Sequence, residues 1–591
     1  MATVHVTGTE LEIKTPKLPL IKPFLVSLGF VFLVAMHFYM PNPGGSGLAL
    51  SFNATTWLAI SVSLAIGLYQ LGTTGYLRYN KLTIGLFICC VMMTVPIFYA
   101  GSKPALVAIR LAGLWAGFLL FFVLQQFRFS NKQKQRLLWF ITIAVFIESL
   151  FGWAQFFLLQ PGNIFGYDTE INRPYGIFQQ PNVMASFLAT GLALSGYLLT
   201  RQPTKYQRHI SEVTLLYLMP LLCVPLLIVL GSRTGWLAAL LSTLLVLPYV
   251  YRFATKKRFI GWTVSILLGV GLGFSCLTIP SEQKPIALEK MHLQSPRQYT
   301  FPQAMDMLIE KPFTGYGYGR FEPEYLVYTA RQHQLNLSYK PGLASMVHPH
   351  NELLYWGVEG GLLPLLAILL AALFVLARLY QAKKGTRLAM FALFVPIVLH
   401  SQLEYPFYHS AIHWIAFIIL LYWVDQRACH YRQASLSIIS QSTLRVLSLV
   451  MPIVSGFYLT TTLHTNYVLT GFERSQPKNP DILNQVSNPV VWQDRYNWDI
   501  YSTFLNIGLM TQQDELIQAY VDWSLKIIRD KPRPAFYNNL ILAYLGLGET
   551  IKAEQIRSEA QFLFPDINFS EVHYIPPDID ALKADRTNQP Q

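Results

Sequence analysis

The stretch LLYLMPLLCVPLLIVLGSRTGWLAALLSTLLVLPYV, residues 215–250, holds two apolar runs separated by the short polar turn GSRT. A helix of about twenty apolar residues crosses the hydrocarbon core of a bilayer. Two such helices joined by a tight turn account for this pattern. The stretch therefore predicts an all-α membrane protein that crosses the bilayer more than once.

The rest of the chain repeats this pattern. Of its 591 residues 52% are hydrophobic and only 13% are charged, whereas soluble domains carry roughly 25% charged residues. Reading with a window of about twenty residues predicts thirteen spans. They lie near residues 20–40, 52–72, 82–100, 104–125, 137–158, 177–199, 211–231, 235–251, 259–279, 360–380, 388–405, 411–425 and 444–464.

The distribution of lysine and arginine predicts the orientation of the spans. These residues concentrate in alternate loops, while the short loops on the other side hold only Lys103, Arg173 and Arg233. By the positive-inside rule the N-terminus is cytoplasmic, and an odd number of spans places the C-terminus outside. The net charge of +13 is largely explained by these orientation charges, so we predict no nucleic-acid partner.

The spans divide the chain into four parts. Residues 1–279 form an N-terminal bundle, 280–359 a long outer loop, 360–465 a C-terminal bundle, and 466–591 an outer polar tail. A loop as long as 280–359 is usually either functional or disordered. Residues 534–565 of the tail resemble one tetratricopeptide unit of about 34 residues, with a weaker partner before it. We expect the tail to be a helical, tetratricopeptide-like domain that either binds peptide or serves as a structural cap.

Arginines near the predicted outer boundary are the first candidate ligand-binding residues. An outward-facing arginine is costly and runs against the charge rule, although any one of them can be explained by snorkelling, capping or a buried ion pair. Together they favour an anionic ligand, and the planar guanidinium suits a lipid-linked diphosphate whose tail lies in the bilayer. The candidate diphosphate-binding residues are Arg110, Arg173, Arg233, Arg297 and Arg320.

A histidine cluster ends the outer loop in the sequence HPHNE, residues 348–352. An imidazole titrates near neutrality and can take a proton from an incoming hydroxyl. The alternative is a structural helix start capped by Asn351 or Glu352. His348 and His350 lack a third ligand at metal spacing, and the acidic pair Glu322 and Glu324 is more easily a solvated turn than a magnesium site. We therefore predict no metal.

Two further polar clusters border the outer ends of spans. The first, HSQLEYPFYHSAIHW, contains Glu404, which can orient a histidine or an acceptor, or form a buried ion pair with an outer arginine. The second, RPYGIFQQPN, contains Gln180 and Asn182, whose amides can bind sugar hydroxyls or satisfy backbone groups at a proline-broken helix start. The candidate acceptor or sugar contacts are Asn182, Gln180, Asn351, Glu404 and His348.

Four of these segments, RPYGIFQQPN, SRTGWLA, the P-x-x-G-Y-G-x-G-x-F run from Pro312 to Phe321, and HPHNELLYWGVEGG, together resemble the O-antigen ligase and O-oligosaccharyltransferase superfamily. HSQLEYPFYHS and the outer tail are similar to those of PglL-type protein O-oligosaccharyltransferases. The resemblance implies a bacterial inner-membrane enzyme with a periplasmic site and no cofactor. Such an enzyme moves a preassembled glycan from undecaprenyl diphosphate to serine or threonine of exported proteins such as type IV pilin.

The same resemblance assigns individual roles. It makes His350 the catalytic base and Arg233 and Arg297 the diphosphate contacts, with Arg320 as the alternative to Arg297. Other members of the superfamily transfer glycan to lipid A-core or to another glycan, so the acceptor stays open. A lipid-linked-sugar transporter is a different class, which would require Arg110 and Glu148 to line an aqueous path.

Overall fold

The computed structural model describes residues 19–168, 172–202, 210–278, 295–427 and 430–576, and it is mostly helical. Cys429 and the first part of the predicted outer loop lie outside these residues. The helices before the outer loop are α1 (Ile21–Leu33), α2 (Ser51–Thr74), α3 (Lys81–Thr94), α4 (Pro104–Gln126), α5 (Asn131–Phe157), α6 (Pro181–Leu199), α7 (Ile210–Leu230), α8 (Arg233–Phe253) and α9 (Lys256–Thr278).

Three helices follow in the outer loop, namely α10 (Arg297–Glu310), α11 (Phe321–Leu335) and α12 (Glu352–Gly360). The second group of apolar helices is α13 (Leu362–Gln381), α14 (Arg387–Ala392), α15 (Val395–Ser401), α16 (Pro406–His409), α17 (Ala411–Asp425) and α18 (Ile438–Arg474). The tail contributes α19 (Gln493–Thr511), α20 (Asp514–Ile527), α21 (Pro534–Gly546) and α22 (Thr550–Leu563).

Among the described residues, ten helices are long and apolar enough to cross a membrane. The chain is therefore a polytopic α-helical membrane protein, as predicted. The other three of the thirteen predicted stretches also fall on helices, but these are short or interrupted. The stretch 20–40 forms α1 and a 3₁₀ turn, 411–425 forms the 15-residue α17, and 388–405 is broken into α14 and α15.

Helices α6 and α7 form the centre of the main core. Every residue of α6 from Val183 to Leu199 is buried, which explains why this helix carries small residues at its contacts. A Cβ on Gly191 would lie 2.4 Å from a Cγ atom of Val145 in α5, and one on Gly196 would lie 2.7 Å from the Trp262 ring in α9. Glycine at these positions lets neighbouring helices approach closely.

The tail lies on the same face as the outer loop, and ion pairs join the two. Arg320 Nη1 lies 3.1 Å from Asp530 Oδ1, and Arg533 Nε lies 2.7 Å from Glu322 Oε1. Apolar side chains of α10–α12 and of α19–α22 form one buried cluster. The consecutive tail helices α19–α22 contact one another in sequence, although the tetratricopeptide assignment stays a prediction.

Strands β1 (Tyr76–Tyr79) and β2 (Arg432–Ser435) pair antiparallel, with Tyr76 opposite Ser435 and Tyr79 opposite Arg432. Both strands belong to loops that the sequence predicts on the cytoplasmic side. The loop preceding α3 and the loop preceding α18 are thereby tied together.

Candidate active site

His350 stands at the entrance to α12 in an unusual backbone conformation. Its φ is +59°, in the left-handed region that non-glycine residues seldom occupy. The next residue, Asn351, caps the helix by accepting a hydrogen bond from Leu354 N at 2.9 Å, and the backbone N–H of His350 donates to His348 Nδ1 at 2.9 Å. Two neighbouring side chains therefore hold this conformation, and strain of this kind is often found at functional sites.

The side chain of His350 is oriented by a carboxylate from a distant part of the chain. His350 Nδ1 lies 2.6 Å from Glu404 Oε2. The other oxygen of Glu404 accepts hydrogen bonds from the guanidinium of Arg297 and, at 3.2 Å, from Asn182 Nδ2. The outer loop, the start of α6 and the segment before α16 thus meet at one carboxylate.

This arrangement determines which nitrogen of His350 can act on a substrate. Because Nδ1 faces the carboxylate, it carries the ring proton and Nε2 keeps its lone pair. The His350 side chain is 34% exposed, whereas that of Glu404 is 8% exposed. Nε2 is therefore available to accept a proton, and the buried carboxylate can stabilise the positive charge that would then form on the ring.

His348 has a structural position behind His350. Its ring is enclosed by the rings of Tyr355, Tyr405 and Tyr408, with centroid distances of 4.3, 5.2 and 5.3 Å. Burial lowers the pKa of His348 well below its usual value, so the imidazole is neutral. Since Nδ1 accepts from His350 N, the proton of His348 is on Nε2.

Glu352 also lies in this aromatic cluster. Its Oε1 accepts hydrogen bonds from Tyr408 Oη at 2.6 Å and from Trp356 Nε1 at 2.7 Å. Burial raises the pKa of the Glu352 carboxyl. Asn351, and not Glu352, caps the helix, and the catalytic role predicted for His350 stays a prediction.

The glycine run from Gly315 to Gly319 encloses Glu359, at the end of α12. Backbone N–H groups of Gly319 and Phe321 donate to Glu359 Oε1 at 3.1 and 3.2 Å. Gly315 and Gly317 have positive φ values, and a Cβ on Gly315 would lie 2.6 Å from the Glu359 backbone. Only glycine allows this approach. The run is therefore a binding loop for a carboxylate of the chain itself.

Arg110 is the second partner of Glu359, with Arg110 Nη2 at 2.5 Å from Glu359 Oε2. Its guanidinium carbon lies 4.4–5.0 Å from the ring centroids of Trp356, Tyr355 and Tyr318. Arg320 also has acidic partners, Glu324 at 2.7 Å and Asp530 at 3.1 Å. The structure therefore places Arg110 and Arg320 on protein carboxylates away from His350, and their diphosphate roles stay predictions.

The other two arginines lie together at the turn between α7 and α8. Arg173 is buried and donates to the backbone oxygen of Leu230, the last residue of α7. Arg233 is the first residue of α8, where Ser232 caps the helix by accepting from Gly235 N at 3.1 Å. Arg233 is exposed at a helix N-terminus, where the helix dipole also favours anions.

The predicted amide contacts divide between structural and site positions. Gln180 caps α6, with Oε1 accepting from the N–H groups of Asn182 and Val183 at 2.5 and 3.3 Å. Asn182 instead reaches Glu404. Asn351 Nδ2 donates to the backbone oxygen of Gln402 at 3.0 Å, which ties the start of α12 to the segment carrying Glu404.

The remaining histidines of the predicted cluster do not join His350. His400 Nδ1 and His413 Nε2 contact the hydroxyl of Ser186 at 2.7 and 3.0 Å, deep in the core. His409 Nε2 contacts the Phe178 backbone oxygen at 2.7 Å. Tyr405, Tyr408 and Glu359 are site residues that the sequence reading did not single out. Of these three residues only Glu359 could have been found from the sequence, because it is an acidic residue directly beside an apolar stretch.

Within the described ranges there is no group of three or more histidine, cysteine, aspartate or glutamate side chains placed to hold a metal ion. The site is instead a histidine, a carboxylate and an arginine at the outer end of a helical membrane bundle. Fold and site together define a polytopic membrane protein with a carboxylate-paired histidine at one end of the helical bundle.

Comparison with known proteins agrees with this description. Residues 218–369 match the O-Antigen ligase model, residues 174–199 match the Protein glycosylation ligase model, and residues 388–575 match the model Virulence factor membrane-bound polymerase, C-terminal. His350 and Arg297 lie in the first segment, Asn182 in the second and Glu404 in the third. The predicted resemblance to the O-antigen ligase and O-oligosaccharyltransferase superfamily is confirmed.

Two relatives from Acinetobacter baylyi are similar to the chain. A "General O-oligosaccharyltransferase" is 26% identical over 330 residues, which are 52% of this chain and 54% of that protein. A "ComP-specific O-oligosaccharyltransferase" is 22% identical over 409 residues, which are 66% of this chain and 69% of that protein. The chain thus matches about half the length of the first relative and two thirds of the second.

Proposed function

We propose that this protein is an O-oligosaccharyltransferase of the bacterial inner membrane. It transfers a preassembled glycan en bloc from undecaprenyl diphosphate to serine or threonine of exported proteins such as pilin. The observation that carries the proposal is the contact between His350 and Glu404, which makes a base with a free Nε2 beside Arg297. The names of both relatives support the reaction class.

The reaction is a displacement at the anomeric carbon. The acceptor hydroxyl oxygen forms a bond to that carbon while the bond from the carbon to the diphosphate oxygen breaks. His350 Nε2 takes the hydroxyl proton, and Glu404 stabilises the resulting imidazolium. The electron pair of the broken bond leaves with the lipid diphosphate, whose growing charge arginine stabilises.

Arg297 and Arg233 are the proposed diphosphate contacts. Arg297 donates to Glu404 from one guanidinium nitrogen, Nη2. A guanidinium has five N–H donors, so further N–H groups remain for a ligand. Arg233 adds a positive charge at the N-terminus of α8. No metal is needed in this scheme, because the arginines supply the positive charge that a metal would otherwise provide.

The site is proposed to face the periplasm, with thirteen spans and a cytoplasmic N-terminus. The tail and the outer loop lie on one face and are joined by the Arg533–Glu322 pair. The paired strands β1 and β2 both belong to loops predicted on the cytoplasmic side. Both observations support a tail and an outer loop at one end of the bundle and these two loops at the other.

The main alternative keeps the chemistry and changes the acceptor to lipid A-core. The experiment that tests the proposal is expression of the chain with a lipid-linked glycan in cells that make both a pilin and lipopolysaccharide. Intact mass of the pilin is expected to increase by one glycan, and His350→Ala is expected to abolish the increase while still inserting in the membrane. Glycan found only on lipopolysaccharide would replace the proposal with the ligase function.

The structure gives less support to a transporter. Transport would require Arg110 and Glu148 to line an aqueous path. Arg110 is paired with Glu359, and Glu148 is buried with its Oε1 at 2.6 Å from His37 Nδ1. Both charges therefore have protein partners in the described part of the bundle.

A further inference from the structure

A cavity of about 930 Å³ lies between α3, α4, α13 and α17, a volume within the roughly 300–1,000 Å³ range of ligand sites. Along α4 it extends from Leu106 to Phe121, about 22 Å at 1.5 Å per residue. Its walls are mostly apolar side chains, among them Trp414 and Phe417 of α17 and Ile368 of α13. The cavity is therefore long enough for a hydrocarbon chain of one bilayer leaflet.

One end of this cavity is polar. Arg110, His348 and Glu352 line it, and each has a buried polar atom without a hydrogen-bond partner: Nε and Nη1 of Arg110, Nε2 of His348 and Oε2 of Glu352. The three side chains are neighbours, since the Tyr355 ring lies 4.3 Å from the His348 ring and 4.5 Å from the Arg110 guanidinium carbon.

Most of these unpartnered atoms are hydrogen-bond donors. Nε and Nη1 of Arg110 carry hydrogens, and so does Nε2 of His348, because Nδ1 of that ring accepts from His350 N. A buried donor without an acceptor destabilises the structure that contains it. A single hydroxyl oxygen has two lone pairs, so it cannot accept hydrogen bonds from all three donors. The several oxygens of a phosphate group can.

One edge of Arg110 remains open at this end. The carboxylate of Glu359 is shared between Arg110 Nη2 and the backbone N–H groups of Gly319 and Phe321, which leaves Nε and Nη1 of Arg110 for a second acceptor. Burial raises the pKa of the Glu352 carboxyl, and in its protonated form this group can also donate to a phosphate oxygen.

From this geometry we propose that the cavity binds a membrane lipid with a phosphate head, its phosphate on Arg110 and His348 and its chain between α4 and α13. Access is from the bilayer, because the lining residues Leu106, Ile109 and Leu376 are 47%, 48% and 49% exposed. Among the described lining residues are neither His350 nor Arg297 nor Arg233. The lipid site therefore adjoins the proposed active site through His348, which accepts from His350 N, but lipid binding itself does not require the transfer reaction.

Photolabelling of the full-length protein in nanodiscs tests the site. The probe is a lysophosphatidic acid with a photoactivatable chain, and its head-group control is the monoacylglycerol with the same chain. Ala371→Trp and Val375→Phe, on the cavity side of α13, fill the space. Leu373→Trp, on the same helix but 57% exposed, is the matched control.

We expect the phosphate probe to label peptides of α4, α13 or α17 at least tenfold more than the monoacylglycerol does. Both cavity-filling variants should reduce that labelling at least fivefold, while Leu373→Trp should not. Equal labelling by the two probes would overturn the phosphate assignment. Labelling that persists in both filled variants would overturn the cavity as the site. Loss of labelling with millimolar inorganic phosphate in the control variant would show a free-anion site in place of a lipid site.

Discussion

His350 Nδ1 and Glu404 Oε2 lie 2.6 Å apart although the two residues are separated by 54 positions in the chain. Glu404 lies between α15 and α16, at the end of the predicted eleventh span, and His350 precedes α12. The turn between α15 and α16 therefore brings a carboxylate from the end of that span to a histidine of the outer loop.

Replacing Glu404 tests this contact directly. Glu404→Gln keeps the shape of the side chain but cannot stabilise an imidazolium, so glycan transfer should fall roughly 10²–10⁴-fold. His350→Ala should reduce it at least as much. The double variant should be no slower than His350→Ala, because the two residues act as a unit. Initial rates with a purified lipid-linked donor measure this, and additive losses would show that Glu404 acts independently of His350.

Arg297 should be needed for the departure of the lipid diphosphate. Arg297→Ala is expected to lower the transfer rate roughly 10²–10³-fold, and Arg297→Lys should recover part of the loss because the charge is kept while the planar fork is not. Arg331→Ala is the matched control, since Arg331 is an outer-loop arginine whose partner is Glu310, at 2.6 Å. Similar rate losses in the two alanine variants would argue against a specific role for Arg297.

His348 should position His350 without contacting the acceptor. His348→Leu removes the acceptor for the His350 N–H and should lower kcat by about tenfold, whereas His348→Asn can replace Nδ1 with its Oδ1 and should restore most of the activity. The comparison of kcat in the two variants is the measurement. Equal losses in the Leu and Asn variants would mean that His348 contributes only packing.

The contact between tail and loop should depend on Glu322 and Arg533. Two hydrogen bonds of 2.7 and 3.1 Å join them, and Glu322 is 6% exposed. Arg533→Ala leaves that carboxylate buried without its partner and should destabilise the docked tail by on the order of 1–3 kcal/mol. Faster proteolysis between α18 and α19 would report it. Arg495→Ala, which removes a tail pair with Glu473, is the control for general loss of charge.

Asp499 in α19 should make tail stability pH-dependent. Burial raises the pKa of this carboxyl from 3.8 to about 7, and its Oδ2 lacks a partner. Since the folded pKa is the higher one, its favourable contribution is complete below pH 3.8 and disappears as the pH rises through about 7.

Asp499→Asn should therefore raise the thermal stability of the tail at pH 8, by on the order of 1–3 kcal/mol, and change it little at pH 4. Thermal unfolding of the full-length protein at the two pH values is the measurement. Asp522→Asn, an exposed carboxylate of the neighbouring helix α20, is the control. A pH-independent effect of Asp499→Asn would contradict the raised pKa.

The sequence by itself determined the membrane class and predicted an outer location for the polar residues. Apolar stretches such as 211–231 and 235–251 must be helices in lipid, because a spanning segment has to satisfy its own backbone hydrogen bonds. Local patterns also indicated the glycine run at Gly315–Gly319 and the histidines at 348 and 350. Each of these patterns is formed by residues that are close together in the sequence.

Only the tertiary structure determined which arginine pairs with which carboxylate. The charge pattern alone does not separate the five outer arginines, and only the resemblance favours Arg233 and Arg297. In the structure Arg297 reaches Glu404, Arg110 reaches Glu359 and Arg320 reaches Asp530. The separation along the chain between such partners is 107, 249 and 210 positions, far beyond any local periodicity. Ion pairs are formed by distances of a few ångströms, and helix packing sets those distances. For this reason the sequence could name His350, Arg297 and Glu404 only as separate candidates, and the fold shows that the first two contact the carboxylate of the third.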